Sequence, residues 1–281
     1  MSTNQNNTIG LIAGQGRLPF LVAQGAKAAG LKVICVGFAG QVDPELANYV
    51  DKFYTAGLAR PGAWIRKLKK HNCRETIMVG RVAKKKMYTP FRLIQYIPDW
   101  RGIRVLYSRL KHDKRNDSVL SAIADELATG DIILVDSTKH IKDSMATAGL
   151  LTKTQPSESI TKDITFGWSI VKQMGNLDIG QAIAVKDLDV IAVEAIEGTD
   201  KMIERAGSLC PSGKWTLIKT GKPDQDMRFD VPTIGTWTIE NLKKNGAKCL
   251  AIEAEKTIIV DKDQTLALAD KYKIAIVGCE D

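Results

Sequence analysis

Histidine is scarce in this 281-residue chain: His71, His112 and His140 are its full complement. None is spaced with another His, Cys or Glu as an HExxH or zinc site requires. The five cysteines, Cys35, Cys73, Cys210, Cys249 and Cys279, are widely spread and form no CxxC pair. That pattern argues against a zinc ribbon and against a disulfide framework, so they read as small buried hydrophobes. A catalytic metal would then be held mainly by carboxylates, which favours magnesium or manganese. No apolar run approaches the roughly 20 residues needed to cross a bilayer. The polar start MSTNQNN lacks the basic and apolar regions of a signal peptide, and a cytoplasmic location is expected. Neither a repeat period nor a disordered composition is present, and the length suits two α/β-sized domains.

The net charge of +8 is concentrated in one place. Between Arg81 and Arg115 eleven Lys or Arg face only Asp99 and Asp113, a local balance of +9 that leaves the remainder of the chain at −1. The same segment carries Tyr88, Phe91, Tyr96, Trp100 and Tyr107. A basic, aromatic stretch suits nucleic acid, an anionic membrane surface or a phosphate-bearing substrate, and equally a solvated face packed on its apolar side. No nucleic-acid-binding signature accompanies it, so no nucleic-acid partner is expected. An anionic membrane surface, a phosphate-bearing substrate and the solvated face stay open; charge reversal at Lys84, Lys85 and Lys86 would weaken a membrane contact.

Apolar runs and helical spacings alternate along the first half. Thr8–Ala13, Lys32–Phe38, Phe53–Ala56, Thr76–Val79 and Asp131–Val135 read as strands, with helices over Leu18–Ala29, Trp64–Lys70 and Ser118–Leu127. Strands alternating with helices imply a Rossmann-like parallel sheet. A linker is expected over 141–160, where Ser, Thr, Lys, Gly and Pro156 replace the periodic pattern. From 161 to 281 the chain reads as a mixed α/β domain, with a hairpin of Gln181–Lys186 and Val190–Ala195 and further strands at Thr216–Lys219, Cys249–Glu253, Thr257–Val260 and Ile274–Val277.

Three places carry chemistry. Gly14 and Gly16 follow the first strand, but Pro19 stands where a dinucleotide fingerprint needs its third glycine, and the second strand ends without a ribose-binding acid. What survives is a glycine turn opening a helix, whose free N–H groups suit a phosphate, beside a similar strand end at Gly80 and Arg81. Glu197–Asp200 (EGTD) follows a buried strand; Thr199 or Asp200 is a good helix N-cap, while Glu194, Glu197 and Asp200 add acid at a strand end. The third is KTGKPDQDMRFDVPTIG at 219–235. Read as a half-buried strand, it places Asp224, Asp226, Arg228 and Asp230 on one face and Met227, Phe229 and Val231 on the other, with Pro232 ending it. Such carboxylates can hold a hard divalent cation, and Lys219, Lys222 and Arg228 can meet phosphate oxygens. A charged edge strand or ion-pair network would look the same in sequence.

IGLIAGQGRLPFLVAQGAKAAG at 9–30, VEAIEGTD at 193–200 and KPDQDMRFDVPTIG at 222–235 together resemble the UDP-2,3-diacylglucosamine pyrophosphatases of the LpxI family. The resemblance implies two α/β domains enclosing a UDP-linked diacylated glucosamine lipid, cleaved to UMP and lipid X with magnesium, and a homodimer. Carried over, it puts Gln225, Asp226, Arg228, Asp230 and Pro232 at the site. Expected catalytic residues are Asp226, Arg228, Lys219 and Lys222. Expected substrate contacts are Gly14, Gly16, Gly80, Arg81, Gly198, Thr199, Gln225 and Thr233, and expected metal ligands are Asp226, Asp230 and Asp200. The competing reading is a protein that binds an anionic lipid or nucleotide sugar without turning it over; an NAD-dependent oxidoreductase and a Nudix hydrolase are disfavoured by missing signatures.

Overall fold

The computed structural model describes residues 7–82, 97–108, 116–222 and 225–280. Lys84–Lys86 and Asp224 lie outside them. The chain divides into two compact units, the first comprising residues 1–142 together with Asp226–Phe229, the second 143–225 and 230–281. Residues 143–160, expected as a linker, therefore belong to the second unit. Their Gly149–Leu150 pairs with its last strand.

In the first unit, five strands form a parallel sheet: β1 (Thr8–Ala13), β2 (Lys32–Phe38), β3 (Lys52–Ala56), β4 (Glu75–Val79) and β5 (Ile133–Leu134), in the order β3-β2-β1-β4-β5. The order reverses between β1 and β4, so their carboxyl ends flank a topological switch point, where open α/β sheets bind ligands. The strands read as near-continuous apolar runs because a parallel sheet is covered on both faces. Helix α1 (Leu18–Ala28) packs on β1 and β2, while α2 (Pro61–Lys69) supplies the fully buried Trp64. Trp64 lies 5.3 Å from the Phe38 ring, and its Nε1 donates to the Gly57 carbonyl at 3.0 Å, so its one polar atom is satisfied where water cannot reach.

Two further helices, α3 (Trp100–Ser108) and α4 (Asn116–Ala128), complete this unit. Asp99 joins α3 to α2. One of its oxygens accepts the Gly102 N–H at 2.9 Å and the other accepts the Ala63 N–H at 3.1 Å, capping two helix starts with one carboxylate. Arg101 and Arg104 reach the buried carboxylate of Glu126 on α4, and these guanidinium contacts outweigh burial to hold its pKa below the usual range.

The second unit is the mixed α/β domain that the sequence indicates. Its six-stranded sheet runs β6 (Gly149–Leu150), β13 (Ala275–Cys279), β11 (Cys249–Glu253), β9 (Thr216–Lys219), β7 (Ala182–Lys186) and β8 (Asp189–Val193). The β9-β11-β13 core is parallel and the flanking pairs are antiparallel. Helix α5 (Glu158–Asn176) covers one face; α6 (Thr199–Leu209), α7 (Thr236–Lys244) and α8 (Lys262–Lys271) accompany it, with a small parallel pair of β10 (Thr233–Ile234) and β12 (Ile258–Ile259). Trp215 is fully buried and donates to the Asn245 carbonyl at 2.8 Å. Four cysteines are buried and Cys279 half-buried; burial pushes the thiols of Cys35, Cys73 and Cys249 up to about 12, so they pack rather than react.

Candidate active site

The first unit brings Gly14, Gly16, Gly80 and Arg81 together at the switch point. Gln15 and Arg81 form an antiparallel bridge, each N–H bonding the other's carbonyl at 2.8 and 2.9 Å, and the Gly14 N–H donates to the Val79 carbonyl at 2.9 Å. The turn is therefore stitched across two strand ends, and the N–H groups of Gly14 and Gln15 are engaged within the backbone. Stitching this close requires glycine. A Cβ at Gly14 would lie 2.6 Å from the Arg81 carbonyl oxygen, and Gly80 adopts φ +100 while touching Gly14. Gly14→Ala should destabilise the protein by about 1–3 kcal/mol, read as a lowered urea midpoint with an unchanged slope.

Asp226–Phe229 belong to this same unit and correct the expected strand. The segment is a turn. The Phe229 N–H bonds the Asp226 carbonyl at 3.1 Å, and the Arg228 N–H bonds the Asp226 carboxylate at 3.0 Å. An aspartate that captures the backbone two residues on competes against strand pairing, which is why alternation misleads here. The turn is anchored by the Met227 carbonyl, which accepts from both Ser137 N–H and Ser137 Oγ at 3.0 and 2.8 Å, and by Phe229, packed against the core cluster to which Ile12 and Trp64 belong. Ser137 follows β5, so the turn is fixed just past the carboxyl end of that strand.

At its tip, Arg228 grips Asp226 with a fork: Nε lies 2.9 and 3.0 Å from the two carboxylate oxygens and Nη2 lies 2.6 Å from Oδ2. The Arg228 hydrogen bonds hold the Asp226 carboxyl below the ordinary range, and Asp226 in turn raises the Arg228 guanidinium. Both side chains remain partly exposed. A carboxylate so held is ionised at neutral pH and a poor proton acceptor. It is a hard oxygen ligand beside a cation shaped for phosphate.

In the second unit, Lys219 at the end of β9 is buried and donates to Thr199 Oγ1 at 3.3 Å; that hydroxyl donates to Glu194 Oε1 at 2.9 Å. Glu194 is 7% exposed, and its Oε2 has no hydrogen-bond partner among the described residues. Gly198, at φ +81, opens α6 without a side-chain cap. Asp200 accepts from Trp237 Nε1 at 3.3 Å, Glu197 pairs with Arg205, and Lys222 pairs with Asp178. Gln225 turns back to accept the Lys222 N–H at 2.8 Å, Thr233 lies in β10, and Asp230 is exposed.

Bonded to Gly221, ahead of the charged 222–235 segment, is a residue that sequence reasoning missed. Glu253, 2% exposed at the end of β11, accepts from Lys172 and Lys256 at 2.7 Å each and from the Gly221 N–H at 2.7 Å. Burial alone would raise its pKa; the two ammonium groups and the backbone N–H outweigh burial and lower it. The one sequence signal is an acid closing the apolar run CLAIE.

Among the described residues, no three His, Cys, Asp or Glu side chains gather to hold a metal ion. Asp226 nonetheless offers hard oxygen, and magnesium is commonly bound by one or two carboxylates with its waters and substrate phosphates rather than by an all-protein cage.

Family models for the LpxI N-terminal domain and the LpxI C-terminal domain match residues 8–144 and 147–277. The UDP-2,3-diacylglucosamine pyrophosphatase LpxI of Caulobacter vibrioides is 29% identical over 280 residues, covering 97% of each chain. Among solved structures, phosphoribosylglycinamide synthetase from Anaerococcus prevotii aligns at 12% identity and TM-score 0.25 over 70% of this chain and 34% of its own. N5-carboxyaminoimidazole synthetase from Staphylococcus aureus aligns at 14% and 0.23 over 72% and 44%. Scores of that size carry no argument about this fold.

Proposed function

The chain belongs to the LpxI family, and from that premise we propose that it hydrolyses the phosphoanhydride of UDP-2,3-diacylglucosamine to UMP and 2,3-diacylglucosamine 1-phosphate, a step of lipid A synthesis. The observation that carries the reading is the Asp226–Arg228 fork, fixed past the end of β5 on a turn that its own backbone bonds define. Hydrolysis adds water across P–O–P, so charge must be neutralised on two phosphates at once.

The fork supplies both signs. A phosphate oxygen arriving at Arg228 replaces Asp226 as its partner, and the Asp226 oxygens become available to a cation. Bound there, magnesium would polarise the phosphoryl oxygens and lower the pKa of a coordinated water. Arg228 offsets charge on the leaving phosphate, a task for which its planar fork is better matched than a lysine. Within the second unit, the candidates for meeting phosphate oxygens are Lys219, whose ammonium donates to Thr199, and Lys222. Peripheral contact with an anionic membrane surface, from which the diacylated substrate is drawn, belongs to the same proposal.

The test is UMP release from UDP-2,3-diacylglucosamine by the purified protein, with magnesium, with manganese and with a chelator. Release that needs either metal is the expected result. Binding of the substrate without UMP release under any of these conditions would instead mark a protein that holds the lipid nucleotide without cleaving it.

A further inference from the structure

Glu194 is buried, yet one of its carboxylate oxygens holds a single hydroxyl and the other holds nothing among the described residues. Buried carboxylates are ordinarily bonded at both oxygens, because a bare one gives up its hydration without return. The sheet decides what this acid faces. The Glu194 N–H bonds the Ala182 carbonyl, and Ala182 stands opposite Lys219 in the next strand. Residues opposite one another share a face, so Glu194, Ala182 and Lys219 form one row at a common end of β8, β7 and β9. Two strand spacings, about 10 Å, separate the backbones of the acid and the lysine, and the alanine between them leaves room above its methyl. Thr199, the first residue of α6, bridges that room. Its hydroxyl donates to Glu194 Oε1 at 2.9 Å and accepts from the Lys219 ammonium at 3.3 Å.

A hydroxyl has one proton and two lone pairs. With the proton committed to Glu194, a lone pair is turned toward Lys219 and draws the ammonium to one place. Without that acceptor the hydroxyl is free to point its proton at the ammonium. Helix α6 begins at Gly198 with no side-chain cap, so a residue type that favours capping is diverted to the bridge. The uncapped end keeps the positive pole of the helix beside Lys219, and both suit an anion. We propose that Glu194 is a positioning residue for the hydrolysis: acting through Thr199, it sets the Lys219 ammonium where a phosphate oxygen of the substrate meets it. Glu194, carrying the same sign as the phosphate, stays one hydroxyl removed from it. The inference deepens the hydrolase reading and rests on it for the identity of the anion.

The test is a double-mutant cycle of Glu194→Met and Lys219→Met, read as kcat and KM for UMP release by the full chain with magnesium. Glu194→Met alone should lower kcat by about tenfold, within the coupling range of residues that share a hydrogen-bond network, and leave KM little changed, as for an interaction made in the transition state. In the Lys219→Met background the same change should cost nothing further, because the group it positions is gone. A folding defect would instead add to the loss. Thr199→Val should match Glu194→Met, while Glu194→Gln and Thr199→Ser, which retain the acceptor and the hydroxyl, should keep most of the rate. Equal losses in the two backgrounds, a wild-type rate in Glu194→Met, or a Glu194→Gln rate as low as that of Glu194→Met overturns the proposal. A wild type that binds the substrate without releasing UMP sinks the hydrolase reading, and the same cycle is then read in substrate affinity: coupled losses uphold the role of Glu194, and additive losses overturn it.

Discussion

Asp226→Asn should lower UMP release by about 10³-fold, the order seen when one charge-stabilising group is lost from a site, with little change in the melting curve. The turn keeps its Ser137–Met227 hydrogen bonds and the packing of Phe229, so the variant tests charge rather than folding. A companion variant tests how the charge is maintained. Arg228→Gln removes the hydrogen bonds that hold the Asp226 pKa down, so Asp226 protonates at a higher pH than in the wild type. The acidic limb of the pH–rate profile should move toward neutrality, on top of a fall in kcat. An acidic limb that stays in place in Arg228→Gln would show that Asp226 titration does not govern activity, and a wild-type rate in Asp226→Asn would remove the fork from the chemistry altogether.

Glu253→Ala should cost about 2–3 kcal/mol, somewhat below the usual cost of breaking a buried ion pair, because the stranded Lys172 and Lys256 can partly reach water. The loss includes the Gly221 N–H bond at the start of the 222–235 loop, so kcat should fall as well. Glu253→Gln keeps an acceptor for that N–H and should recover much of the activity. The pH dependence fixes the sign. A carboxylate whose folded pKa is depressed contributes stability that is fully present above its unfolded value, near 4.3 for Glu, and lost as pH falls through the lower folded value. The stability gap between wild type and Glu253→Gln, measured in urea, should therefore be widest at neutral pH and close below pH 4. A gap that is constant with pH would mean that the pairing charge contributes nothing.

Much of the fold was legible because buried parallel strands announce themselves: TIGLIA, KVICVGF and TIMV are apolar runs that stop at or beside glycine, and their order along the chain leaves few topologies. Helix α3 was not legible as a helix. Its apolar residues face outward, so spacing that elsewhere marks a core instead merged with the basic, aromatic background around it. The 224–230 alternation failed for another reason: Asp226 bonds its own backbone, a local choice that outweighs pattern. At the candidate site, Gly14 and Gly80 could be set at neighbouring strand ends, and the β1–β4 pairing brings them together; Thr199 and Lys219 could be named as residues but not as neighbours, since packing across the chain decides adjacency. Glu253 was out of reach. Its lysine partner on α5 lies 81 positions away, and nothing in CLAIE distinguishes a buried acid from one that closes a strand at the surface.

Four residues from late in the chain, Asp226–Phe229, are structural property of the early half. The two units are consequently not two genetic modules. A fragment ending at Lys142 would leave the Ser137 donors and the hollow filled by Phe229 without their occupants, and a fragment starting at Asp143 would carry a segment whose scaffold it lacks. Recombination that swapped one half between relatives would inherit the Asp226–Arg228 fork from one parent and its foundation from the other, so the seat of the turn and the turn itself are bound to be exchanged, or kept, as a pair.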